Sequence, residues 1–109
     1  MNVLYPKNEN VKLDMELFNQ PTAEYRGAPF WSWNCLLRED QLLRQVDAFK
    51  EMGMGGFHIH ARNGLATEYM GEEFLRLVKA SHDRGVQNEM LTWLYDEDRY
   101  PSGTAGGLV

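Results

Sequence analysis

From residue 28 onward the hydrophobic positions switch between a period of two and a period near 3.6. Ala28 to Asn34 is a short aromatic run that predicts a first strand. Arg38 to Met52 sets Leu42, Leu43, Val46 and Phe49 on one face, the spacing of an amphipathic helix. Glu39 and Asp40 suit its positive N-terminal end, and Gly53 suits a left-handed stop. From Gly55 to Ala61, Phe57, Ile59 and Ala61 alternate with His58, His60 and Arg62, which predicts a second strand. A loop over 63–71 leads to a second helix, Glu72 to Arg84, turning Phe74, Leu75, Leu77 and Val78 inward and stopping at Gly85. Met90 to Tyr95 completes the pattern as a third strand. Residues 1–27 show no sustained period and carry Pro6, Pro21 and Gly27, so they read as an irregular lead-in with one short helix near Lys12 to Phe18.

The order is therefore β-α-β-α-β: an α/β fold with a parallel sheet joined by right-handed helical crossovers. A repeat of about 30 residues is that of one unit of an eight-stranded (β/α)8 TIM-like barrel, which needs ~250 residues. With 109 residues, the expectation is a partial barrel: a lead-in over 1–27, then three strands and two helices over 28–109.

Composition narrows the function classes. A net charge of −5 with no basic stripe argues against a nucleic-acid partner. The single Cys35 excludes an internal disulfide and a cysteine-built zinc site. No apolar run approaches the ~20 residues of a membrane span, and the start Met1-Asn2-Val3-Leu4-Tyr5-Pro6 lacks the features of a signal peptide. A cytoplasmic protein without a membrane partner is the default expectation. A three-stranded parallel sheet leaves two open edges, so self-association through them is also expected.

The chemistry-bearing residues cluster at the strand ends. Trp93-Leu94-Tyr95-Asp96-Glu97-Asp98-Arg99 runs from a strand into three consecutive carboxylates, followed by a Pro-Ser-Gly turn. Ligands of parallel sheets bind at that C-terminal end. Asp96, Glu97 and Asp98 are thus candidate catalytic acids, with pKa values raised by their like-charged neighbours and Arg99 able to keep one ionised. Hydrogen bonding to a bound ligand and a plain solvated acidic turn are the alternatives. His58, His60 and Arg62 share one strand face, where burial without partners is costly. A solvated open-edge face is the competing reading. His-x-His on a strand also fits a metal-dependent hydrolase, but only His82 remains as a further histidine, on a helix. Trp31, Trp33 and Tyr95 are candidates to stack on a ligand or to serve as core, and Asn34 is placed for a polar ligand contact.

Three segments carry a family resemblance: Gly27-Ala28-Pro29-Phe30-Trp31-Ser32-Trp33-Asn34, Met54 to Leu65, and Trp93 to Gly107. They resemble the start of the catalytic barrel in large bacterial glycoside hydrolases related to the α-L-rhamnosidases of family 106. Those proteins have a similar PFWxWN strand followed by GGFxxHxRxGL, TEYxG and WLYDEDxxPSG. The resemblance spans roughly residues 17–109, in order. It implies a (β/α)8 barrel that acts on glycosidic bonds of plant-type polysaccharides. It raises Glu68 from a generic loop acid to a site residue and favours substrate binding over proton transfer for the three acids. It implies no organic cofactor, and it leaves room for a calcium ion at the acidic cluster. Such relatives run to many hundreds of residues, so this chain reads as a truncated relative whose general acid and base belong to later strands. On that reading it is a glycosidase-like or sugar-binding fragment, the alternative being a catalytically inactive carbohydrate-binding or interaction module.

Overall fold

The computed structural model describes residues 9–98 and 103–109. In chain order the elements are α1 (Met15–Asn19), β1 (Phe30–Trp33), α2 (Glu39–Glu51), β2 (Gly56–Ala61), α3 (Glu72–Gln87) and β3 (Leu91–Asp98). The three strands form one parallel sheet in the order β1-β2-β3. Phe30 lies opposite His58 and Trp33 opposite Ala61, while His58 also lies opposite Trp93. The α/β pattern read from the sequence is the pattern observed.

One face of the sheet is the core. Trp31 and Trp33 of β1 and Phe57, Ile59 and Ala61 of β2 are buried with Leu42 and Val46 of α2 and Phe74 and Leu77 of α3. Their rings meet edge to face: Trp31 lies 5.1 Å from Phe57, and Trp33 lies 5.5 Å from Phe74. Such pairs add to what burial alone contributes. The Trp31 indole N–H donates to the Gln45 side-chain oxygen of α2 at 2.6 Å, fixing the ring's polar tip.

The helices show where local sequence decides. α2 starts with Glu39 and Asp40 in its first turn, as the dipole prefers, and the chain leaves it through Gly53 at φ 87°. α3 departs from expectation at two points. It runs through Gly85 to Gln87, and Leu75 is 43% exposed. Gly85 is a packing residue: an added Cβ would stand 3.1 Å from the Thr92 hydroxyl and 3.4 Å from the Phe57 ring. The left-handed stop falls instead on Glu89, at φ 58°, a conformation that strains a residue with a Cβ. Glu89→Gly is therefore expected to stabilise the chain by about 0.5–1 kcal/mol, readable as a raised urea midpoint with unchanged slope. A lowered midpoint would mean that the Glu89 side chain contributes more than its backbone strain costs.

Polar contacts tie the layers together. Arg84 near the end of α3 pairs with Asp47 of α2 at 2.7 Å, and the Asn88 amide donates to the same carboxylate at 3.0 Å. The Asn88 hydrogen bond and then the Arg84 charge hold the Asp47 carboxyl below its usual pKa. The lead-in is more ordered than its composition suggests. Asp14 caps α1 by accepting from the Leu17 N–H at 3.1 Å, and Ala23–Tyr25 forms one 3-10 turn. Arg26 then donates to the Pro21 and Gly53 carbonyls, fastening the lead-in to the turn after α2. Among the described residues no helix is long and apolar enough to cross a membrane.

Candidate functional site

Because side chains alternate along a strand, burying Phe57, Ile59 and Ala61 turns His58, His60 and Arg62 to the other face of the sheet. No helix covers that face among the described residues, and its side chains organise one another by stacking. His58 lies flat on Trp93 of β3, ring centroids 4.7 Å apart and planes 13° apart. His60 is held between two rings, Phe30 of β1 at 3.8 Å and Tyr95 of β3 at 4.3 Å. Arg62 places its guanidinium over the Phe30 ring, 5.4 Å from its centroid, a cation–π geometry.

The histidines differ in environment. His58 Nδ1 stands 3.2 Å from the Ala28 carbonyl, so that nitrogen carries the proton and Nε2 is left as an acceptor in the neutral ring. His60 Nδ1 is buried without a hydrogen-bond partner. Burial, then the neighbouring His58 and Arg62 charges, push the His60 pKa below its ordinary value. Near neutral pH His60 is accordingly an uncharged ring within an aromatic stack.

At the C-terminal end of β3 the three acids separate. The strand runs three residues beyond its expected end, through Asp98, with an irregular register past Ile59. Asp96 is exposed, Asp98 half-buried, and Glu97 only 3% exposed. Glu97 accepts from the Thr104 N–H and hydroxyl, both at 2.8 Å, from the Asp98 N–H at 3.0 Å, and from the Gly106 N–H. These bonds, led by the Thr104 and Gly106 backbone donors, pull its pKa down to about 2. The expectation of a raised pKa is thereby reversed for Glu97. A carboxyl that stays ionised to that pH serves as a structural acceptor and cannot be a general acid near neutrality.

This depressed pKa fixes a pH dependence. The unfolded carboxyl titrates near ~4.3, so the stabilisation is fully present above that pH and is lost as pH falls through about 2. Glu97→Gln is expected to flatten stability against pH in that window and to abolish amide-exchange protection at Thr104 and Gly106. Unchanged protection of those two amides would remove Glu97 from this role.

The sequence-derived candidates divide accordingly. Tyr95, His58, His60 and Arg62 come together on the open face. Trp31 and Trp33, expected as sugar-stacking residues, are 5% and 1% exposed on the opposite, helix-covered face, so they are core. Asn34 is exposed at the end of β1, and its carbonyl lies against Gly64 of the next loop. Glu68 is exposed in that loop, its carboxylate close to Gly71. Tyr69 beside it links the loop to the tail, with its ring against Gly106 and its pKa raised by burial and by Glu97, Asp98 and Asp96. Arg99 lies outside the described residues. Sequence reasoning missed Phe30 and Trp93, although alternation places both: Trp93 is two positions from Tyr95 and shares its face, and Phe30 is one position from Trp31 and takes the opposite face.

Among the described residues no group of three or more His, Cys, Asp or Glu side chains is arranged to hold a metal ion. His82 is exposed on α3, in the layer behind the opposite face of the sheet. The chain matches no family model, no curated protein and no solved structure.

Proposed function

We propose that this chain forms the sugar-binding portion of a glycoside hydrolase-like (β/α)8 barrel related to the family 106 α-L-rhamnosidases. The open sheet face carries the reading: Phe30, Trp93 and Tyr95 interleaved with His58 and His60 across three parallel strands. Stacked face to face, these rings present their edges, and the polar ring edges suit the hydroxyls of a sugar. In a barrel this face is the interior, and the ligand sits at the strand C-termini. Asn34 and Glu68 follow β1 and β2 there, Asp96 and Asp98 form the end of β3, and these groups supply hydroxyl partners. Of the three acids only Asp96 and Asp98 remain for proton transfer, because Glu97 is committed to the Thr104–Gly106 segment. A soluble, cytoplasmic setting completes the reading.

That commitment of Glu97 also favours a second reading, a carbohydrate-binding module without turnover. Hydrolysis needs two carboxyl groups flanking the bond. Release of the aryl group from an aryl α-L-rhamnoside, lost in Asp96→Asn with circular dichroism unchanged, supports the enzyme. Tryptophan fluorescence that responds to sugar without turnover supports the module. Absence of both responses sinks the proposal.

Among the described residues the outer edges of β1 and β3 pair with no strand, which supports self-association as a further expectation. Sedimentation should show a mass that rises with protein concentration. A monomer throughout would contradict it.

A further inference from the structure

Arg62 differs from the other described arginines. Arg26, Arg38, Arg44, Arg76 and Arg84 each donate to a carbonyl or pair with a carboxylate. Among the described residues, Arg62 has no side-chain hydrogen bond and no ion pair; its guanidinium lies over the face of Phe30. A half-buried guanidinium that keeps all five N–H donors unengaged is poised for a planar anion, which it binds through two parallel hydrogen bonds. Phe30 belongs to β1, at the opposite edge of the sheet from β3, and although Ala61, the residue before Arg62, lies opposite Asp98, the guanidinium forms no ion pair with Asp96, Glu97 or Asp98. The stacked rings present their edges to a sugar, and His58 Nε2 offers an acceptor to a hydroxyl.

From this we infer that the open face takes a saccharide bearing a carboxylate, a uronic-acid residue, with Arg62 reading the carboxylate and the aromatic stack reading the sugar ring. The inference rests on the sugar-binding reading above and specifies the ligand. Neutral sugars bind the same stack more weakly, because they leave the guanidinium without a partner.

The test uses methyl β-D-glucuronide, methyl β-D-glucoside and inorganic sulfate as probes, followed by tryptophan fluorescence and amide chemical shifts. The glucuronide is expected to bind about tenfold more tightly than the glucoside, the scale of one added charge-assisted contact. Arg62→Gln should abolish that preference, leaving the two sugars with equal affinity, with the circular dichroism spectrum unchanged. Equal affinity of the wild type for both sugars, or a preference that survives Arg62→Gln, overturns the inference and leaves the sugar-binding reading standing. Sulfate binding as tight as the glucuronide, with no response to the glucoside, reduces Arg62 to a simple anion contact and overturns it too. Failure of both sugars to bind at any concentration defeats the underlying reading instead.

Discussion

Trp33→Ala is expected to cost about 3–5 kcal/mol, the range for deleting a large buried aromatic side chain. Trp33 is 1% exposed and is the largest of the fully buried side chains. It contacts both Trp31 and Phe74, at 5.4 and 5.5 Å. Its removal opens a cavity between the sheet and α3, and neither layer can close it without breaking the other ring contacts. Ordinary domains have only about 5–15 kcal/mol of stability in total, and a chain of this size stands toward the lower end. The variant should therefore lose its near-ultraviolet circular dichroism at 25 °C while the wild type keeps it. Retention of a sharp thermal transition within a few degrees of wild type would show that the core is not organised around this ring.

Gly56→Ala is the second large effect, and it acts on the backbone. A Cβ at Gly56 would stand 2.2 Å from the Leu91 carbonyl oxygen and 3.0 Å from the Trp93 ring. Neither neighbour is the free end of a flexible chain. The start of β2 must move away from β3, and overpacking of this kind costs about 1–3 kcal/mol, here toward the upper end because backbone is in the way. The damage is directional: the His58–Trp93 and His60–Tyr95 stacks bridge these same two strands. Amide exchange should accelerate along Leu91 to Leu94, and sugar binding should fall with it. Fast exchange spread evenly over all three strands would point to global unfolding; unchanged exchange would refute the close approach of the strands.

The fold was legible because its periodicity is clean. Phe57, Ile59 and Ala61 against His58, His60 and Arg62 fix both the strand and its two faces, and Leu42, Val46 and Phe49 fix the inner side of α2. Gly85 misled because glycine serves two purposes, helix stop and close packing, and only the neighbours Thr92 and Phe57 decide between them. Glu89 in a left-handed conformation has no sequence signal at all. The site was legible in part. The histidine face follows from alternation alone, whereas placing Trp31 and Trp33 requires knowing which side the helices cover. Alternation also separates Glu97 from Asp96 and Asp98. Its capture by Thr104 and Gly106 depends on how the chain folds back after the strand, and no pattern in Asp-Glu-Asp encodes that.

Sugar binding on the open face of the sheet, proposed above, would involve β2 and β3 together. The most direct test is a nuclear magnetic resonance titration of nitrogen-15-labelled protein with methyl α-L-rhamnoside and with methyl β-D-glucuronide. The account predicts saturable shifts at the Trp93 indole N–H and at the amides of His58, His60 and Tyr95. The Trp31 and Trp33 indoles, on the covered face, should stay still. Shifts confined to residues away from β2 and β3, or no shifts with either sugar, would contradict it.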